Sequence, residues 1–126
     1  MKVLLDTHAF LWGLTRSESL SSVARRTIES SETFWSVASV WETLIKIQVG
    51  KLKLPSSAGN YLVSKMAENG VSILPIKLEH ALRVEELEMH HRDPFDRILI
   101  AQSLEEGWPI ITGDPLFRNY PVRIIW

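Results

Sequence analysis

The order of apolar runs along the chain predicts an α/β domain: a central, mostly parallel sheet with helices on both faces. Three observations predict it. Short runs of strand length, several of them β-branched, alternate with stretches whose apolar residues recur at helical spacing. Strands separated by helices need crossover connections, and right-handed crossovers put the helices above and below a parallel sheet. Finally, acids stand where strands end or helices begin, at Asp6, Glu42, Asp96 and Asp114. In a parallel sheet all those places share one edge, where open α/β sheets form their ligand crevice.

The elements follow in order. Lys2 to Leu5 reads as a short strand ending at Asp6-Thr7, and His8 to Gly13 as a short helix or helical turn with aromatic bulk. Ser21 or Ser22 caps a second helix that runs through Glu29, and Thr33 to Ser36 is a brief strand. Ser36 to Val49 is helical by period, with Val37, Val40, Trp41, Leu44, Ile45 and Val49 apolar and Gly50 as its stop. Within it, Ser39-x-x-Glu42 reads as a capping box. Ser56 to Asn69 is an amphipathic helix closed by Gly70, Val71 to Ile76 a strand, and Lys77 to Leu87 another helix. Glu88 to Arg92 reads as a polar loop in which His90 and His91 are solvated, because adjacent residues do not share a helix face.

The best marked stretch runs from Arg92 to Asp114. Asp93 stands at an N-cap, Pro94 at the first helical position where its missing N–H costs nothing, and Asp96 at the third. Ile98, Leu99, Ala101 and Leu104 supply an apolar side, and Gly107 a left-handed cap. Pro109 to Thr112 is a buried strand that ends in Gly113-Asp114-Pro115. Pro115 to Tyr120 makes a turn or short helix, and Val122 to Trp126 a last strand. No repeat or linker interrupts residues 1–126, which read as a single domain.

A chain of 126 residues buries about two-thirds of the surface its unfolded form exposes, enough for a core without metal or disulfide. The absence of Cys excludes disulfides, thiolate zinc sites and thiol nucleophiles. No apolar run reaches membrane-spanning length, and Val3-Leu4-Leu5 is too short for a signal peptide. The expectation is a soluble, cytoplasmic protein. A net charge of −1 argues against binding nucleic acid by bulk charge. Neutralising four carboxylates with bound cations would nevertheless leave the remaining surface positive.

Singly, each acid is explained by orphan N–H groups and the helix dipole at a helix start. Together, four carboxylates on one edge repel, and the usual resolutions are a shared proton or a bound cation. Oxygen ligands without Cys suit Mg²⁺ or Mn²⁺. Such a site suits phosphodiester hydrolysis, in which the cation polarises a phosphoryl oxygen and lowers the pKa of the attacking water.

Four ordered segments carry a family resemblance: LLDTHAFLW at 4–12, SVWETLIKIQVGKL at 39–52, HRDPFDRILIAQ at 91–102 and IITGDPLF at 110–117. The chain resembles a PIN domain, specifically a VapC-type ribonuclease toxin of a toxin–antitoxin pair, with a three-layer fold. The resemblance implies that Asp6, Glu42, Asp96 and Asp114 are the acidic, metal-binding and catalytic set, with Thr112 as a supporting hydroxyl. Asp93 is assigned to capping and support. Arg97, surrounded by acids, is expected to pair with a neighbouring carboxylate, with a phosphate contact as the minority reading. RNA is the implied substrate, and a homodimer and an antitoxin are the implied assemblies, with Phe10, Trp12 and Trp41 crowding one side of the crevice as a partner groove. His8 reads as packed or exposed, not catalytic. Lys46, Lys51 and Lys53 read as a solvated face, with an RNA-contacting rim as the minority reading. Two alternatives compete. A metal-dependent phosphatase of another α/β class wants a second Asp where His8 stands, and an inactive PIN-like binding module would normally show a damaged acidic set.

Overall fold

The computed structural model describes Met1–Trp126. Five strands, β1 (Lys2–Leu5), β2 (Glu32–Ser36), β3 (Ser72–Leu74), β4 (Ile110–Ile111) and β5 (Ile124–Ile125), form one sheet in the order β3-β2-β1-β4-β5. Every pairing is parallel. From β1 the chain steps outward through β2 to β3, then returns to lay β4 on the other side of β1. The strand order therefore reverses between β1 and β4, the switch point at which open α/β sheets bind ligands.

Six helices flank the sheet: α1 (Thr7–Thr15), α2 (Ser22–Ser30), α3 (Val37–Gln48), α4 (Ala58–Glu68), α5 (Leu78–Val84) and α6 (Pro94–Glu106). Two 3-10 turns, Ser17–Ser19 and Pro115–Asn119, complete the chain. The period-two geometry of β1 divides the core into two layers. Val3 and Leu5 join Phe10, Leu20, Trp35 and Leu62 on one face, whereas Leu4 joins Leu99, Ile100 and Phe117 on the other. All three β1 residues are buried, as a strand covered on both faces requires.

The helix that carries Asp96 starts and stops where its residues dictate. Asp93 accepts N–H bonds from Phe95 and Asp96, Pro94 opens the first turn, and Gly107 ends α6 at φ 74°. Elsewhere the boundaries move. Ser36, not Ser39, caps α3 by accepting from the Ala38 N–H at 3.0 Å, so Ser39 and Glu42 are freed for other contacts. The strand expected over 71–76 is cut to Ser72–Leu74, because Pro75 has no N–H to donate to a ladder. The helix expected over 77–87 stops at Val84, where the carbonyls of Val84, Leu87 and Glu88 turn toward the Arg97 guanidinium. No helix is long and apolar enough to cross a membrane.

Candidate active site

The crevice opens at the C-terminal ends of β1 and β4. Asp6 caps α1, its Oδ1 accepting from the Ala9 N–H at 2.6 Å and its Oδ2 from the Thr112 hydroxyl at 2.5 Å. Thr112 Oγ1 in turn accepts the Asp114 N–H at 3.1 Å, so one hydroxyl ties the two strand ends together. The Trp35 indole N–H donates to the Asp6 carbonyl from beneath. Burial pushes the Asp6 carboxyl above the usual carboxylate range, a shift opposed by the bonds from Thr112 and Ala9.

Glu42 reaches the same edge from the second turn of α3 and is buried. Its Oε1 accepts from Thr7 Oγ1 at 2.8 Å, and Thr7 Oγ1 lies 2.8 Å from Ser39 Oγ. Its Oε2 pairs with Lys46 Nζ at 2.8 Å, one helical turn on. Thr7 and Ser39 are missing from the sequence-derived site. The only sequence signal for them is that both are small hydroxyl residues within a turn of an acid.

The third acid, Asp96, is raised as well. Burial, and then the charges of Asp93 and Glu42, push the Asp96 carboxyl up to about 7, with His91 opposing them. Asp96 Oδ2 lies 2.9 Å from His91 Nε2, and Asp114 Oδ2 lies 3.7 Å from it. Ligand atoms of His91, Asp96 and Asp114 all fall within 4.8 Å of one another, and Asp6 and Glu42 lie outside this tightest group. Asp114 also caps the turn that follows it, accepting from the Leu116 N–H.

The solvated reading of His91 is corrected: its side chain is only 11% exposed and faces the crevice, whereas His90 stays 39% exposed. The reason lies in the loop's backbone. The Tyr120 hydroxyl accepts the N–H groups of both His90 and His91, while Arg97 draws in the carbonyls of Glu88 and His91. The Asp93 N–H donates to His91 Nδ1 at 3.4 Å, which leaves the ring proton on Nε2, facing the acids. Despite its closeness to Asp96, Nε2 is buried and not aligned for a hydrogen bond.

The carboxylate partner expected for Arg97 is likewise corrected. Its guanidinium serves four backbone carbonyls and Tyr120, so it shapes the loop that carries His91 and touches no acid. The three aromatics do not line one groove. Phe10 is buried against Trp35 at the edge of a cavity of about 530 Å³ on the α1/α2 side. Trp12 packs on Trp126 and His8, and Trp41, 59% exposed, stands edge-on to Phe95. Three positions on two helices, one of them pointing inward, cannot share a wall. His8 is exposed beside Trp12.

These residues fit a divalent cation. The donors are carboxylate oxygens, which hard cations prefer. A carboxyl raised by burial and neighbouring charge marks a place where added positive charge relieves an existing cost.

An all-parallel α/β sheet with four carboxylates at its switch point narrows the class to α/β domains with an acidic crevice. The PIN domain family model matches residues 3–122, and the chain belongs to that family. Among curated proteins it is similar to Ribonuclease VapC22 of Mycobacterium tuberculosis, 27% identical over 121 residues, covering 94% of this chain and 91% of that one. Among solved structures, VapBC2 of Rickettsia felis bound to a promoter DNA fragment superposes with a TM-score of 0.73 at 12% identity, covering 98% of this chain and 97% of that one. DNA-bound VapBC of Salmonella typhimurium gives 0.74 at 15% identity, covering 98% and 96%. At such identities the structural likeness concerns the fold.

Proposed function

We propose that this chain, as one domain over residues 1–126, is an endoribonuclease that hydrolyses RNA phosphodiester bonds with Mg²⁺ or Mn²⁺. In this reading it is a VapC-type toxin acting in the cytoplasm. The reading is supported above all by the acids on the sheet edge of a PIN domain: Asp96 and Asp114 lie beside His91, and Asp6 and Glu42 are near enough for their charges to raise the Asp96 carboxyl. The similarity to a protein named as a ribonuclease supports the substrate class.

Asp6, Asp96 and Asp114 are the proposed ligands, with Glu42 completing the set once its carboxylate leaves Lys46. When bound, the cation supplies Lewis acidity toward the phosphoryl group and the attacking water. Thr112 keeps Asp6 and the Asp114 backbone in register across the two strands. Asp93 holds the first turn of α6, and so the Asp96 carboxylate, in place. His91 keeps an N–H aimed between Asp96 and Asp114 and limits their mutual repulsion. Arg97 acts through His91 by fixing its loop.

A nuclease of this kind needs restraint in its host, and the similar proteins crystallised as VapBC complexes support a cognate antitoxin as partner. A homodimer is supported by Ile73, Ile76, Leu78 and Leu82, large apolar side chains left exposed on and after the edge strand β3. The test is incubation of purified protein with a panel of structured RNAs in Mg²⁺, Mn²⁺ or EDTA. Cleavage is expected only with a divalent cation, and it should vanish in Asp6→Asn and Asp96→Asn. Undiminished cleavage in EDTA would overturn the reading.

A further inference from the structure

One surface feature is absorbed by neither the acidic site nor the core. A groove of about 430 Å³ leads away from Glu42 between the C-terminal half of α3 and the loop that enters α6, lined by Ile45, Lys46, Lys51, Arg92 and Phe95. Lys51 and Arg92 are exposed and make no ion pair, whereas Lys46 is spent on Glu42. Of the acids on the groove, Glu42 is the partner of Lys46 and Asp93 is engaged in capping α6. The groove's three basic side chains, Lys46, Lys51 and Arg92, outnumber its two acids, Glu42 and Asp93.

Its cations sit on pinned backbone. Gly50 turns the chain at φ 77°, and the N–H groups of Lys51 and Leu52 both donate to the Lys46 carbonyl, at 2.8 and 3.2 Å. Arg92 is held between His91, bonded to Tyr120, and Asp93, the cap of α6. Flanking the groove, the exposed Trp41 ring stands at 82° to the Phe95 ring at a centroid distance of 5.2 Å. An exposed aromatic ring beside unpaired cations suits a single strand: phosphates follow the cations while an unstacked base lies on the ring.

We propose that this groove is the track along which single-stranded RNA approaches the acids, with phosphates at Lys51 and Arg92 and a base stacked on Trp41. The proposal rests on the ribonuclease reading above and adds the direction and contacts of the substrate. Charge complementarity favours a polyanion over a protein segment, because the two exposed charged side chains on the groove are both positive.

The experiment is fluorescence anisotropy of an end-labelled single-stranded RNA with the Asp96→Asn chain, which is expected to bind without cutting, across a series of salt concentrations. In that background, Lys51→Glu with Arg92→Glu should weaken binding at least tenfold and flatten the dependence of log affinity on log salt by about 0.7 for each phosphate left without its cation. Trp41→Ala should cost roughly fivefold or more, since stacking is worth about 1–3 kcal/mol per base, and Trp41→Phe should recover most of it. A control with the same change in net charge, Arg16→Glu after α1 with Arg26→Glu on α2, should leave the slope as it was. Thermal melting reports whether each variant is folded, and all these positions are exposed. RNA affinity equal to the parent in both groove variants would overturn the track while leaving the ribonuclease reading intact. Loss of antitoxin binding without loss of RNA binding would overturn it too, and would assign the groove to a protein. Absence of RNA binding by the parent would overturn both readings.

Discussion

The two walls of the crevice treat their acids differently. On the β1/β4 wall, Asp6 has both carboxylate oxygens occupied by fixed donors, Ala9 N–H and Thr112 hydroxyl, and is buried. On the α6 wall, Asp96 faces Asp93 and Glu42 as like charges and has beside it only a misaligned imidazole. The first wall is held by fixed donors that oppose the rise burial imposes on Asp6, with the Thr112 hydroxyl as its scaffold. The second has no such donors and faces like charges, a cost that a bound cation would remove, so the larger gain from metal binding is expected there.

Substitutions on the two walls should therefore separate. The largest effect expected is on the α6 wall, where Asp96→Asn should lower RNA cleavage by about 10²–10³-fold or more, measured as initial rates on one labelled RNA. Next comes the support of that wall: Arg97→Met takes a donor from four carbonyls, of which Val84 and Glu88 keep others while Leu87 and His91 do not, and a cost on the order of 3 kcal/mol is expected in urea unfolding, with His91 released from the crevice. A third test uses pH. In the metal-free protein Asp96 holds its proton up to about 7, against 3.8 for an ordinary Asp, so between those values the folded state binds more protons than the unfolded. The stability it contributes is thus present below about 4 and lost as pH rises toward 7. The Tm gain on adding Mn²⁺ should grow over the same interval, and the difference between parent and Asp96→Asn melting curves isolates the group. The smallest effect is on the scaffold wall, where Thr112→Val should cost about 1–2 kcal/mol of stability and leave most of the metal-induced Tm shift. Equal metal responses in Thr112→Val and Asp96→Asn would erase the distinction between the walls.

Much of the fold is legible in the sequence because its signals are local. Asp93, Pro94 and Gly107 bound α6 through capping chemistry that needs no tertiary partner, and the β-branched run at 110–112 has no other stable place than a buried strand. The four acids are legible as a set because a parallel sheet brings strand ends and helix starts to one edge whatever the side chains do. What is not legible depends on long-range partners. Nothing local to His90 and His91 says that Tyr120 and Arg97 will fold their loop inward, so one of two adjacent histidines enters the site and the other does not. Arg97 is misread for the same reason: the acids beside it in sequence point to the crevice, while its own side chain turns to the carbonyls of the loop before α6. Phe10, Trp12 and Trp41 are alike in composition, and only packing separates a core ring from an exposed one.

Calorimetric titration of Mn²⁺ into the parent, Asp96→Asn and Thr112→Val tests most directly whether the unrelieved charge on the α6 wall is what binds the cation. Binding should be present in the parent, lost in Asp96→Asn and largely retained in Thr112→Val. Binding by Asp96→Asn as tight as the parent's would contradict it.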